Sequence, residues 1–173
     1  MGIALIIQFA KGAKRVASEL EVRCVVAAVL CKAMFDGKKL PVYVSIYIVP
    51  GLLIRGEEKR LAEIVSSPTA DTHIIRISEY NRGRDSILFS VMHELIHLIR
   101  IINRENKPTE EEEMNVEAII KSQTILFEYL ASALYLYSDN PTMRFENEEA
   151  LPDLQSGSTV RDGDTREAVR PPL

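Results

Sequence analysis

The sequence predicts an α+β fold: a small antiparallel or mixed sheet of about three strands, packed on an N-terminal helix, a helix carrying His93 and His97, and a long C-terminal helix. Three observations predict it. Of 173 residues, 46% are hydrophobic and 27% charged, with 8 Gly and 8 Pro, the proportions of one ordinary globular domain. Three stretches repeat apolar residues every three or four positions, the period of a helix with one buried face. Two others are dense in β-branched residues between turn formers, as strands are.

Taken in order, residues 14–35 place Val16, Leu20, Cys24, Ala27, Ala28, Cys31, Met34 and Phe35 at helical spacing, and Gly37 follows as a stop. Residues 41–50 put Val42, Val44, Ile46 and Ile48 on one face between two prolines, a strand. The stretch from Gly51 to Ser67 reads less clearly; 57–65 fits either a short helix or the first arm of a hairpin turning at 67–71. Residues 72–78 form its second arm, with His73, Ile75 and Ile77 alternating, so that His73 is expected to be structural.

Asp85 is a good N-cap for a helix over 86–103, whose core stripe is Leu88, Val91, Leu95, Ile99 and Ile102. Thr109 and Glu112 have the spacing of a capping box, after Pro108, for a helix over 110–138. Its first turn collects Glu110 to Glu113, where the helix dipole favours carboxylates; for Glu110 to Glu112 a solvated role is expected. After Asn140-Pro141 the chain turns acidic, small and proline-rich. The expected organisation is one domain over 1–140 and a flexible or loosely docked tail over 141–173.

Composition also removes function classes. With 21 Lys+Arg against 25 Asp+Glu, net −4, and no basic run, neither nucleic acid nor an anionic membrane is an expected partner. The apolar stretch 87–102 is interrupted by His93, Glu94, His97 and Arg100, and 124–137 is short and holds Glu128; neither supplies the ~20 apolar residues of a span. The apolar start, Ile3 to Ile7, lacks the basic segment of a signal peptide. Cys24 and Cys31 lie about 10.5 Å apart along a helix, beyond the ~7 Å reach of a disulfide. Two free thiols, read as small core residues, point to a reducing cytoplasm.

The chemistry lies in His93-Glu94-Leu95-Ile96-His97. Histidines four apart share one helix face, about 6 Å apart along the axis, so both rings can converge on one ion at about 2.0–2.1 Å. Glu94 is offset by about 100° around the helix and flanks the ion, placed to take a proton rather than to ligate. The chain has 3 histidines in all, so two at this spacing do not follow from abundance. If the two helices form an antiparallel hairpin, His97, six residues before 103, is level with Glu117, seven after 110. Glu117 is therefore the expected third ligand, with Glu113, one turn nearer the loop, as runner-up or outer partner.

Val91 to Ile99 resembles the zinc signature of the zincin metallopeptidases. Glu117, twenty residues after His97 and followed by Ala118-Ile119, is similar to the glutamate that completes the site in gluzincins. The order of elements also resembles minimal gluzincin-like and ImmA/IrrE-type domains, over roughly 38–137. The resemblance implies a zinc metallopeptidase with one Zn²⁺, hydrolysing a peptide or protein substrate, with Glu94 as general base and then proton donor to the leaving amine. It also implies that a sheet edge presents the substrate, here Thr72, Ile74 and Arg76. The sequence departs from gluzincins at Lys121, where an aspartate commonly orients a histidine. Tyr80 and Tyr129 are candidates to stabilise an oxyanion, although Tyr129 has the spacing of a core residue. The alternative is a weak or inactive metal-binding regulatory protein on the same scaffold.

Overall fold

The computed structural model describes residues 3–66 and 71–139, with side chains as far as 134. Met1–Leu134 form one compact unit, which holds the sheet and the packed helices. The hairpin turn expected at 67–71 lies almost entirely outside the described residues, as does the expected tail at 141–173.

The elements run β1 (Ala4–Phe9), α1 (Glu19–Phe35), β2 (Tyr43–Val49), β3 (Leu53–Arg55), β4 (Glu58–Arg60), β5 (Ala62–Ser66), β6 (Thr72–Ser78), α2 (Arg84–Ile102) and α3 (Thr109–Asp139). Four strands form a mixed sheet in the order β1-β2-β6-β5, and β3 and β4 pair as a separate ribbon. β1 is parallel to β2 and β2 to β6, while β5 returns antiparallel against β6. The α+β class and mixed sheet agree with expectation; the sheet has four strands rather than three, because the apolar N-terminal segment adds one.

α1 begins on a capping box that periodicity alone did not reveal. Ser18 accepts from the Glu21 backbone N–H, and the Glu21 carboxylate accepts from the Ser18 N–H. Arg84 at the start of α2 pairs with the same Glu21, pinning the two helix starts together. α1 ends as expected: Gly37 takes φ 73°, a left-handed conformation suited to glycine, and Lys38 N–H reaches back to the Ala33 carbonyl. α2 is capped at Gly83 and not at Asp85, which sits in its first turn.

One face of the sheet carries Val44, Ile46, Ile48, Ile75 and Ile77, each at most 1% exposed, against the wholly buried Val22, Val26, Val91, Leu95 and Leu98 of α1 and α2. α3 closes this core with Val116, Ile120 and Phe127. Truncating a fully buried leucine such as Leu95 to alanine would cost about 2–5 kcal/mol. Cys24 joins the interior, but Cys31 is exposed, contrary to its reading as core; both are free thiols. No helix among the described residues is long and apolar enough to cross a membrane.

β6 is an interior strand, which corrects its reading as a sheet edge. β2 and β5 pair on its two sides, so its backbone cannot accept a further strand. Its alternation turns His73, Ile75 and Ile77 to the core and leaves Thr72, Ile74 and Arg76 on the opposite face of the sheet. Arg76 there pairs with buried Glu63 of β5 at 3.8 Å. On the far side of β5, no strand is paired among the described residues.

Candidate metal centre

α2 packs on β5 and β6 along its apolar stripe, and that packing sets which face of the helix is left for polar residues. His93 and His97, one turn apart, project from that face with ring centroids 4.7 Å apart and Nε2 atoms 3.0 Å apart. The third group is Glu113 of α3. Its two carboxylate oxygens stand 3.1 Å from His93 Nε2 and 3.0 Å from His97 Nε2. The His93, His97 and Glu113 ligand atoms all lie within 4.8 Å of one another, a group that could hold a metal ion.

Glu117 is not part of this group; it is exposed and lines a shallow recess with Phe89, Ile120, Lys121 and Thr124. The preference for Glu117 over Glu113 is therefore corrected, and the reason lies in the connection. α2 ends at Ile102 and α3 starts at Thr109, so His97 stands five residues before the one and Glu113 four after the other. The intervening loop turns back through a left-handed Arg104 at φ 56°, and Arg100 ties it down by donating to the Glu105 carbonyl at 2.9 Å. The level pair thus shifts one helical turn toward the loop.

The donor set suits a borderline-soft divalent ion. Two imidazole nitrogens and a carboxylate, leaving one vertex free, are the composition of a three-ligand zinc site. Tetrahedral bonds of about 2.0–2.1 Å put ligand atoms about 3.3–3.4 Å from one another, within a few tenths of an ångström of the spacings found. His93 Nδ1 is buried with no partner among protein atoms.

Glu94 flanks this group, half-buried. Burial first, then the negative charges of Glu113 and Glu63, push its carboxyl up to about 7, with Arg60 acting the other way. His97 is pushed down from its ordinary value by burial and by the neighbouring His93, against the pull of Glu113 and Glu112, so its ring favours the neutral form that a metal ligand requires.

Glu112 was expected to be solvated or to close a capping box, and it does neither. It is 6% exposed, and both its oxygens are gripped by Arg100, at 2.8 Å from Nε and 3.1 Å from Nη2. The Lys107 backbone N–H adds a third bond at 3.0 Å. The sequence did hold a signal for this arrangement: Arg100 interrupts the run Leu98-Ile99-Arg100-Ile101-Ile102, and an arginine in such a run needs a carboxylate.

The remaining candidates fall elsewhere. His73 is 8% exposed and hydrogen-bonds Ser66 Oγ through Nδ1 at 2.8 Å, the structural role expected of it. Tyr129 is 71% exposed and so is not the core residue its spacing suggested, and Tyr80 is 47% exposed. Comparison of the chain with protein-family models, with curated proteins and with solved structures returns no match.

Proposed function

We propose that this chain is a zinc-dependent peptidase that hydrolyses a peptide bond with Glu94 as general base. The observation that carries the reading is the meeting of His93 Nε2, His97 Nε2 and the Glu113 carboxylate around one point, with the raised carboxyl of Glu94 beside them. A zinc ion held by these three would supply Lewis-acid polarisation and lower the pKa of water. Glu94 then takes the proton of the attacking water and returns it to the leaving amine. Glu94 stands beside the three ligands and is not one of them, so its carboxylate is free to accept that proton and to release it.

The sheet supports a peptide as the substrate class. β5 is the strand next to α2 whose outer side is free of a strand partner among the described residues, and its Glu63 acts electrostatically on Glu94. An extended peptide adding along β5 would present its backbone toward the signature helix. The role expected of Thr72, Ile74 and Arg76 thereby passes to 62–66.

The test is metal analysis of the purified chain together with hydrolysis of an unstructured protein, for wild type and Glu94→Gln. One zinc per chain in both proteins, with turnover lost in the variant, supports the peptidase. Stoichiometric zinc without turnover in either protein supports a metal-binding regulatory protein. Absence of zinc in the wild type overturns both.

A further inference from the structure

The sheet has two edges, and they differ in how they are kept from pairing further. β5, at one end, carries Glu63 and follows Arg60. β1, at the other, reads Ala4-Leu5-Ile6-Ile7-Gln8-Phe9, without a charge or a proline, and no strand pairs on its outer side among the described residues. Charges and prolines are the usual guards of a free edge. Ala4 N–H donates to the Val42 carbonyl at 2.9 Å, and Ala10 N–H to the Ile48 carbonyl at 2.9 Å. Along a strand these groups turn to alternate sides, so Leu5, Ile7 and Phe9 turn theirs away from β2. Above this end of the sheet stands α1, the crossover from β1 to β2, while α2 packs on β5 and β6. What is left uncovered of α1 is a stripe at spacings of three and four: half-buried Leu20 and Ala27 with exposed Arg23, Cys31 and Met34. The stripe lies on the side away from α2, over the β1 edge. Its single charge, Arg23, is met by Glu19 at 3.4 Å.

We propose that this flank is the interface of a homodimer, in which β1 of a second copy pairs antiparallel with β1 and two four-stranded sheets become one. A two-fold axis perpendicular to the sheet at Ile7 sets Ile7 against Ile7 of the second copy, Leu5 against Phe9, and Ile6 against Gln8, each pair on one face. The residues whose N–H and C=O groups are turned outward thus meet one another, as a hydrogen-bonded antiparallel ladder requires. No charge opposes a like charge along the strand. The same axis places the helices. With strands about 4.8 Å apart, an α1 seated over β1 and β2 lies about 5 Å from the axis, so the two α1 helices run side by side about 10 Å apart, the distance at which helices pack. Ala27 and Cys31, small residues one turn apart in the stripe, permit that approach, and the pairing covers a thiol that the single chain leaves exposed. The flank is complementary to itself in hydrogen bonding, face and charge, which is what selects a second copy as its occupant. It stands at the opposite end of the sheet from β5, so the dimer does not rest on the zinc reading.

Sedimentation of the full chain tests the proposal. The wild type should sediment at twice its 19.5 kDa mass. Leu5→Pro removes an N–H that β2 does not use, a change an edge strand tolerates, and Cys31→Glu puts a charge in the exposed stripe. Each should weaken the dimer about tenfold or more, with circular dichroism and thermal unfolding of the monomer close to wild type. The register is read by disulfide trapping in a Cys31→Ser background. Ile6→Cys combined with Gln8→Cys should give a covalent dimer on oxidation, since a pair not joined by hydrogen bonds brings Cα atoms to about 4.5 Å, within disulfide reach. Either cysteine alone should not. A wild type that stays monomeric at about 100 μM, where a micromolar dimer is nearly complete, overturns the proposal. If the amides of Leu5, Ile7 and Phe9 are then protected from hydrogen exchange, another part of the same chain covers the edge. A dimer that neither Leu5→Pro nor Cys31→Glu weakens uses some other surface and equally overturns it. Trapping by a single cysteine as efficient as by the pair overturns the register centred on Ile7.

Discussion

The sheet and helix α2 each bury one histidine to nearly the same degree, and the two differ in what surrounds the ring. His73 in the sheet and His97 on α2 are 8% and 9% exposed, and burial depresses the pKa of both. His73 has its Nδ1 engaged by Ser66 and a strand on either side. His97 faces a second imidazole and two carboxylates, Glu112 and Glu113. Burial alone therefore does not mark a functional histidine; convergence of several donor groups on one point does. A strand sends neighbouring side chains to opposite faces, whereas one turn of helix stacks two on the same face.

The contrast can be broken by substitution. The largest effect is expected from Glu94→Gln, which removes the base but no ligand. Hydrolysis should fall about 10²–10⁴-fold, the usual worth of a positioned proton acceptor, while zinc content measured by mass spectrometry stays the same. Next, His97→Ala should weaken zinc binding by about a thousandfold, roughly 4 kcal/mol at 1.4 kcal/mol per tenfold. His73→Ala should leave zinc affinity unchanged and instead lower the unfolding free energy by about 1–3 kcal/mol, since it removes the bond to Ser66 and opens a gap where a buried ring packed. Equal losses of zinc affinity in the two histidine variants would erase the distinction.

A smaller effect concerns pH. Glu94 has an ordinary value of 4.5 and is raised to about 7 in the metal-free fold, so the folded state holds its proton more tightly than the unfolded chain. Its contribution to stability is therefore full below about pH 4.5 and is lost as pH rises through 7. Metal-free Glu94→Gln should be more stable than wild type at pH 8, by about 1–2 kcal/mol after allowance for its partial exposure, and no more stable at pH 4. Denaturant unfolding at the two pH values reads this. The opposite sign would place Glu94 in an environment that favours its charge.

How far the sequence foretold these regions depends on the range of each interaction. The His93–His97 pair and the flanking position of Glu94 are properties of a single helix, and were legible from spacing. The choice between Glu113 and Glu117 turned on one residue at each helix end and on the path of the loop through Arg104, which spacing does not encode. Glu112 was misread because its partner, Arg100, lies across that loop, while the nearer Thr109 offered a plausible local bond. In the sheet, the alternation of 72–78 was legible. The place of β6 between β2 and β5 was not, because alternation tells which face a residue takes and says nothing of which strands lie alongside. β1 escaped notice for a similar reason: a short apolar run becomes a strand only through its parallel partner, 39 residues on.

The most direct measurement is zinc titration of the full chain beside two variants, Glu113→Gln and Glu117→Gln. One site per wild-type chain is expected, strongly weakened by the change at Glu113 and altered less than about twofold, under about 0.5 kcal/mol, by the change at Glu117, since Glu117 is exposed and stands outside the ligand group. Loss of the site on changing Glu117 with Glu113 dispensable, or no site in the wild type, would contradict a metal centre built on His93, His97 and Glu113.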